Sequence, residues 1–555
     1  MMVPFDVEDW QKKAAERRGL LTYPREWVLP AIYLEDIGQN STRSVIDVPA
    51  ECGILTSHEL EITETRATPL LTKLRSGEWK SEDVTLAFCK RAVIAHQLTN
   101  CLTSLFLEEA LKRARELDRI LQETGKPVGP FHGLPISLKE IFNVNGADTT
   151  FGFVSWVGNY KDEDGLTVKL LKERGAVPFV KTNIAQGCLI VEGLNNLFGT
   201  TKNPHNLSLT PAGSSSGEGA LIAMRGSPLG VGTDGGGSIR LPAHSNGVYG
   251  FMPSTHRVSS GGIAEGKGGL TWVRGQIGPL STDVDSLETW IKAMIGSKIA
   301  DQDFCCSPLE WREPQLSESL TIGVIYQDNV VETTSSMIRP LKNTCERLRE
   351  LGHKIVEIDI GNLHREITET VFRFYVADGQ EGYQKSIAAS GEPYISRCCG
   401  SECERPMTIS EVHEMDRKAR LFSKKYLEIF VENGLDAILT PSSPTPAAPH
   451  GMYSTNSLSA VYNLLGYAAG IIPIGKIDLV KDAPTKEYLR KEPFADLNVF
   501  PVFPYDKYDS YVRKELYAEI GKFKNAPTSI QVVGRKFTDE KVLRIMKVID
   551  VAING

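Results

Sequence analysis

Three short stretches of the 555-residue chain carry side chains that could act together on a carbonyl: Lys139 in GLPISLKE, Ser214 in PAGSSSGEGAL, and Ser238 in GTDGGGSIRLPA. A serine hydroxyl attacks a carbonyl only when a neighbouring base takes its proton, and a lysine serves as that base when its surroundings keep it neutral. Gly235, Gly236 and Gly237 run directly into Ser238. With no side chains in the way, consecutive backbone N–H groups can converge on one point and stabilise the oxyanion of a tetrahedral intermediate. The chemistry these residues point to is a serine acyl-enzyme with a lysine base, and it needs no metal or cofactor.

Competing readings of the same residues are weaker. Gly213-Ser-Ser-Ser-Gly217 satisfies a G-x-S-x-G elbow, which would make Ser215 the nucleophile, but the elbow needs a strand just before it and Pro211 interrupts there. Gly230 to Gly235 spells G-x-G-x-x-G, yet more glycines follow instead of a helix, and Thr255 stands where an acidic residue would hold a ribose. A Ser-His-Asp enzyme needs a histidine beside its nucleophile. His132 and His244 lie closest along the chain, and each is more simply a hydrogen-bonded structural residue. Asp234 and Arg240 bracket the glycine run with opposite charges, which suits a scaffold for its backbone donors. Cys398, Cys399 and Cys403 have only His413 nearby, a poor set for zinc, so no metal site is expected.

Gly213 to Gly219, a hydrophobic stretch, and Gly236 to Pro242 resemble the paired blocks of the amidase signature family, and the likeness runs from about Lys139 through Pro242. The resemblance implies that Ser238 is the nucleophile, Lys139 the base, and Ser214 the bridging serine that relays the proton, with Ser215 in support. By residue type alone any of Ser214, Ser215 and Ser216 could bridge; matching Gly217-Glu218-Gly219 to the family block selects Ser214. The family's bridging serine follows a cis peptide bond. Two departures stand out: Ala212 and Ser216 replace family glycines, and Ser216 in particular does not easily reach positive φ. The resemblance also implies a substrate surface made by Ser214, Gly235, Gly236, Gly237 and Cys188, although Cys188 is equally readable as a small buried apolar residue. The implied activity is hydrolysis of a small-molecule carboxylic amide to the acid and ammonia or an amine. VIDVPAECGILTSHELEITE and SIQVVGRKFTDEKVLRIMKVID are similar to fungal acetamidase-type members. An amidotransferase A-type subunit and a silent binding protein on the same fold are the alternatives, and the intact Lys139, Ser214 and Ser238 weigh against the second.

The elements that must position these residues alternate between helix and strand, which predicts an α/β fold with a central mixed β-sheet covered by helices on both sides. Residues 1–80 read as an N-terminal helical appendage and 81–555 as the catalytic domain. Thr56-Ser-His-Glu59 is an N-cap, with helices over Ala67 to Leu74, Ser81 to His96 and Leu107 to Glu123. A buried strand over Leu134 to Leu138 should deliver Lys139 at its end. Leu320 to Ile325, Ser336 to Leu351 and Ile355 to Ile358 predict a second strand–helix–strand unit, and Asp416 to Asn433 a long helix. A formal net charge of −7 argues against a nucleic-acid surface. No segment of about eighteen apolar residues predicts a membrane span, so a cytoplasmic protein is expected. A homodimer is left open.

Overall fold

Apolar runs punctuated by glycine and proline assemble into one large sheet. The computed structural model describes residues 7–266, 269–395, 405–452, 455–490 and 517–555. Its strands are β1 (Leu102–Leu105), β2 (Pro135–Lys139), β3 (Val177–Thr182), β4 (Leu194–Asn195), β5 (Gly199–Thr200), β6 (Leu229–Asp234), β7 (Tyr249–Met252), β8 (Gln276–Ser281), β9 (Thr321–Val324), β10 (Lys354–Glu357), β11 (Ala437–Thr440), β12 (Ala468–Lys476) and β13 (Pro527–Gly534). β4 and β5 pair with each other, and the other eleven form a single sheet in the order β1-β3-β2-β6-β8-β7-β12-β13-β11-β9-β10. β2 runs parallel to β3 and β6, whereas β6 meets β8 and β12 meets β13 antiparallel, so the sheet is mixed and flanked by helices. Every residue of β2, β3, β6 and β8 is buried, as expected of central strands covered on both faces.

Thr56 and Glu59 close a capping box on the helix Ser57–Glu64, each side chain accepting from the other's backbone N–H at 3.2 and 2.8 Å. Trp27, Leu55, Leu70 and Leu74, all before residue 80, share one buried cluster with Leu138 of β2 and Phe179 of β3. β9, the helix Ser335–Glu350 and β10 make a parallel βαβ unit. The long helix expected from Asp416 begins instead at Ile409 and ends at Glu432. Thr408 and Glu411 form its capping box, a signal lying just upstream of the periodic apolar positions. Two helices that sequence periodicity does not single out, Leu363–Val376 and Glu381–Ser390, complete the wall of the site. Cys398, Cys399 and Cys403 lie outside the described residues. Among the described residues, no helix is long and apolar enough to cross a membrane.

Candidate active site

Because β2 and β6 are parallel neighbours, Lys139 at the end of one and the glycine turn after Asp234 at the end of the other emerge at the same edge of the sheet. Lys139 is fully buried, and its Nζ lies 2.7 Å from Ser214 Oγ and 2.8 Å from Thr233 Oγ1. Burial pushes its pKa down from the ordinary lysine value, against the pull of Cys188, Asp234 and Glu218. The side chain is thus driven toward the neutral amine that a base must be.

The Gly213–Ser214 peptide is cis, and the helix Ser216–Ala223 starts two residues later. A Cβ on Gly217 would sit 2.3 Å from the Cys101 carbonyl oxygen and 2.4 Å from the Asn183 nitrogen, so this helix can approach β3 only through a glycine. Of the two departures from the family blocks, Ala212 and not Ser216 occupies the left-handed region, at φ +58°. The conformational cost of replacing glycine therefore falls on Ala212. Ser215 points inward: its Oγ donates to the Thr233 carbonyl at 3.3 Å, and its N–H donates to the Ser238 carbonyl at 3.2 Å, tying the two serine blocks together.

The glycine turn is held almost entirely through its carbonyls. Asn463 Nδ2 donates to Asp234 O at 3.0 Å, Tyr375 Oη to Gly235 O, Asn456 Nδ2 to Gly236 O at 2.8 Å, and Leu241 N to Gly237 O at 2.7 Å. Gly237 sits at φ +111°, where only glycine is comfortable, and its N–H donates to Asp234 Oδ1 at 2.7 Å. Among the described residues, no hydrogen bond engages the N–H groups of Gly235, Gly236 or Ser238. Asp234 also accepts from Arg240 Nε at 2.9 Å and from the Ile239 N–H at 3.1 Å. Burial works to raise the Asp234 carboxyl, but Arg240, Asn463 and the Gly237 N–H outweigh it and hold the group well below the usual carboxylate range. Arg240 in turn donates to Ser459 O, Gln531 and Asn463, which anchors the turn to distant parts of the fold.

Ser214, Thr233, Gly235, Gly236 and Ser238 share the wall of one cavity of about 470 Å³. The rest of that wall is mostly apolar, including Ile141, Phe151, Ile190, Ile263, Val273 and Phe372. Cys188 lines it too, from a turn whose Gly187 carbonyl accepts a 3.0 Å hydrogen bond from Tyr383 Oη.

The profile of the amidase family matches residues 83–543. The chain belongs to the amidase family. An acetamidase of Aspergillus oryzae is 34% identical to it over 558 residues, covering 97% of both chains. An amidase of Gibberella moniliformis is 33% identical over 554 residues and 98% of both. A solved structure of a fatty acid amide hydrolase superposes with a TM-score of 0.91 at 31% identity, covering 99% of this chain and 97% of that one. The protein is accordingly a hydrolase of carbon–nitrogen amide bonds.

The cavity leaves both sequence-adjacent histidines aside. His132 Nδ1 accepts from the Val128 N–H at 3.1 Å, and His244 sits between Ser529 Oγ and the Thr445 carbonyl, its pKa pushed by burial down to about 4. Neither lines the cavity. Three residues on the cavity wall are not singled out by sequence reasoning: Thr233, Tyr375 and Asn456. Thr233 carries a local signal, since it precedes Asp234 at the end of a strand running beside that of Lys139. Tyr375 and Asn456 carry none, because they lie 140 and 220 residues from the glycines they contact.

Proposed function

We propose that the protein hydrolyses an amide with an apolar acyl group, releasing a carboxylic acid and ammonia or an amine, through an acyl-enzyme on Ser238. The observation that carries this reading is the 2.7 Å contact between Lys139 and Ser214 in a buried setting that opens into the same cavity as Ser238. Ser238 Oγ attacks the carbonyl carbon as its proton passes to Ser214, whose own proton passes to Lys139. The carbonyl electron pair moves onto oxygen, toward the unspent N–H groups of the glycine turn. Collapse of the intermediate breaks the C–N bond, and the same relay returns a proton to the departing nitrogen. Water then attacks the acyl-enzyme with the relay run again.

Gly235 and Gly236, together with Ser238 itself, supply the donors best suited to the oxyanion, while Gly237 contributes by allowing the turn. Cys188 and the apolar wall face the acyl chain. The cavity is far larger than an acetyl group needs, and the likeness to a fatty acid amide hydrolase supports the same direction. Ammonia release measured across a series from acetamide to octanamide and phenylacetamide tests the proposal. kcat/KM should rise with apolar size, and Ser238→Ala should abolish turnover and covalent labelling by a fluorophosphonate. Labelling that persists on Ser215 in that variant would reject Ser238 as nucleophile, and a preference for acetamide would reject the apolar acyl group.

A further inference from the structure

We propose that Tyr375 is a positioning residue that aims the Gly236 N–H at the oxyanion, and that Asn456 supports it by fixing the next peptide of the glycine turn; the inference rests on the reading of Ser238 as nucleophile. In a trans peptide the C=O of one residue and the N–H of the next lie in one plane and point in opposite directions. Whatever holds the Gly235 carbonyl therefore decides where the Gly236 N–H points. Tyr375 Oη donates to that carbonyl, and Asn456 Nδ2 donates to the Gly236 carbonyl at 2.8 Å. The second peptide is held at both ends, since the Gly237 N–H is bonded to Asp234 at 2.7 Å. Among the described residues, the first is held only at its carbonyl, which leaves the Gly236 N–H as an oriented and unspent donor.

Three consecutive glycines have no side chains with which to order themselves, and they lose more conformational freedom than any other run. Stabilisation of a developing oxyanion depends on donors already in place before the charge appears. The order must therefore come from outside the turn. A Cβ on Gly236 would lie 2.2 Å from Tyr375 Oη and 2.9 Å from Asn456 Nδ2, so both side chains press against the backbone with no space to spare. Tyr375 belongs to the helix Leu363–Val376, and Asn456 immediately precedes the helix Ser457–Leu465. These two helices pack on each other, so the pair reaches the turn as one rigid support from the second half of the chain. Both residues also stand on the cavity wall, where the acyl group of a bound substrate can press on them.

The test is the rate at which a fluorophosphonate modifies Ser238, because phosphonylation places an oxygen in the same donors and needs no amide substrate. Tyr375→Phe keeps the ring and removes only the hydroxyl; Asn456→Ala is the second variant. Each should slow phosphonylation and lower kcat by about ten- to a hundredfold, with KM for a turned-over amide changed less than about threefold. The double variant should lose less than the product of the two single losses, since both act on one turn. Unchanged phosphonylation in Tyr375→Phe, or a loss confined to KM, would overturn the inference while leaving Ser238 as nucleophile. A wild-type protein that carries no label on Ser238 would overturn the underlying reading and this inference with it.

Discussion

Thr233 places its Oγ1 2.8 Å from Lys139 Nζ, so the buried amine is held between two hydroxyls, one from β6 and one from Ser214. A neutral amine has protons to donate and a single lone pair to accept with. If Thr233 takes a proton bond, the lone pair is left for the Ser214 hydroxyl. Thr233→Val preserves shape and removes the acceptor, and it should lower kcat about tenfold. The lost bond stabilises the ammonium more than the amine, so the rising limb of kcat/KM against pH should move to lower pH. A limb that stays in place would show that the Thr233 contact does not tune the titration of Lys139.

If Lys139 is the base, as proposed, activity should rise with pH, because burial lowers its pKa from the ordinary lysine value and the neutral amine does the work. Lys139→Ala should cost about 10² to 10⁴ in acylation rate. His132→Ala and His244→Ala, measured on the same amide by stopped-flow acylation, should cost little. A histidine variant that folds and is as impaired as the lysine variant would reject the lysine base.

Ser214→Ala should harm amides more than matched esters, since an amine leaves only with a proton and an alkoxide needs one less. Ser216 differs from it in kind: its hydroxyl is buried with no hydrogen-bond partner among the described residues. Ser216→Ala should therefore leave kinetics nearly intact and keep or slightly raise the melting temperature. Equal kinetic losses in the two variants would show that the bridging position is misassigned.

Glu218 is buried beneath the site, accepting from Ser137 Oγ at 2.6 Å and Thr182 Oγ1 at 2.8 Å. Burial pushes its carboxyl up to about 7, more than those hydroxyls and Lys139 pull it down. In the window between the ordinary value of 4.5 and about 7, the folded protein retains a proton that the unfolded chain has released. This contribution to stability is present at low pH and is lost as pH rises through that window. Glu218→Gln cannot titrate, so its melting temperature relative to the wild type should climb between pH 5 and 8. A constant difference across that range would contradict the shift.

What the sequence by itself determines is the local chemistry. Ser214 and Ser238 are legible because each is embedded in small residues whose spacing has few structural uses, Lys139 because it closes a short apolar run, and the Thr56 cap because its two bonds span three residues. Strand identity for β2 and β9 follows from short apolar runs, another pattern read within a few residues. Tertiary structure alone decides the rest. The parallel pairing of β2 with β6 brings Lys139 to Thr233 and the glycine turn, and no local pattern encodes that pairing. The fold turns the Gly237 N–H toward Asp234 and assigns the left-handed conformation to Ala212 instead of Ser216. Tyr375 and Asn456 reach the turn from helices far along the chain. Short-range spacing constrains a backbone through bonds it can reach within a few residues; contacts across hundreds of residues depend on how whole elements pack, and that information is spread over the entire core.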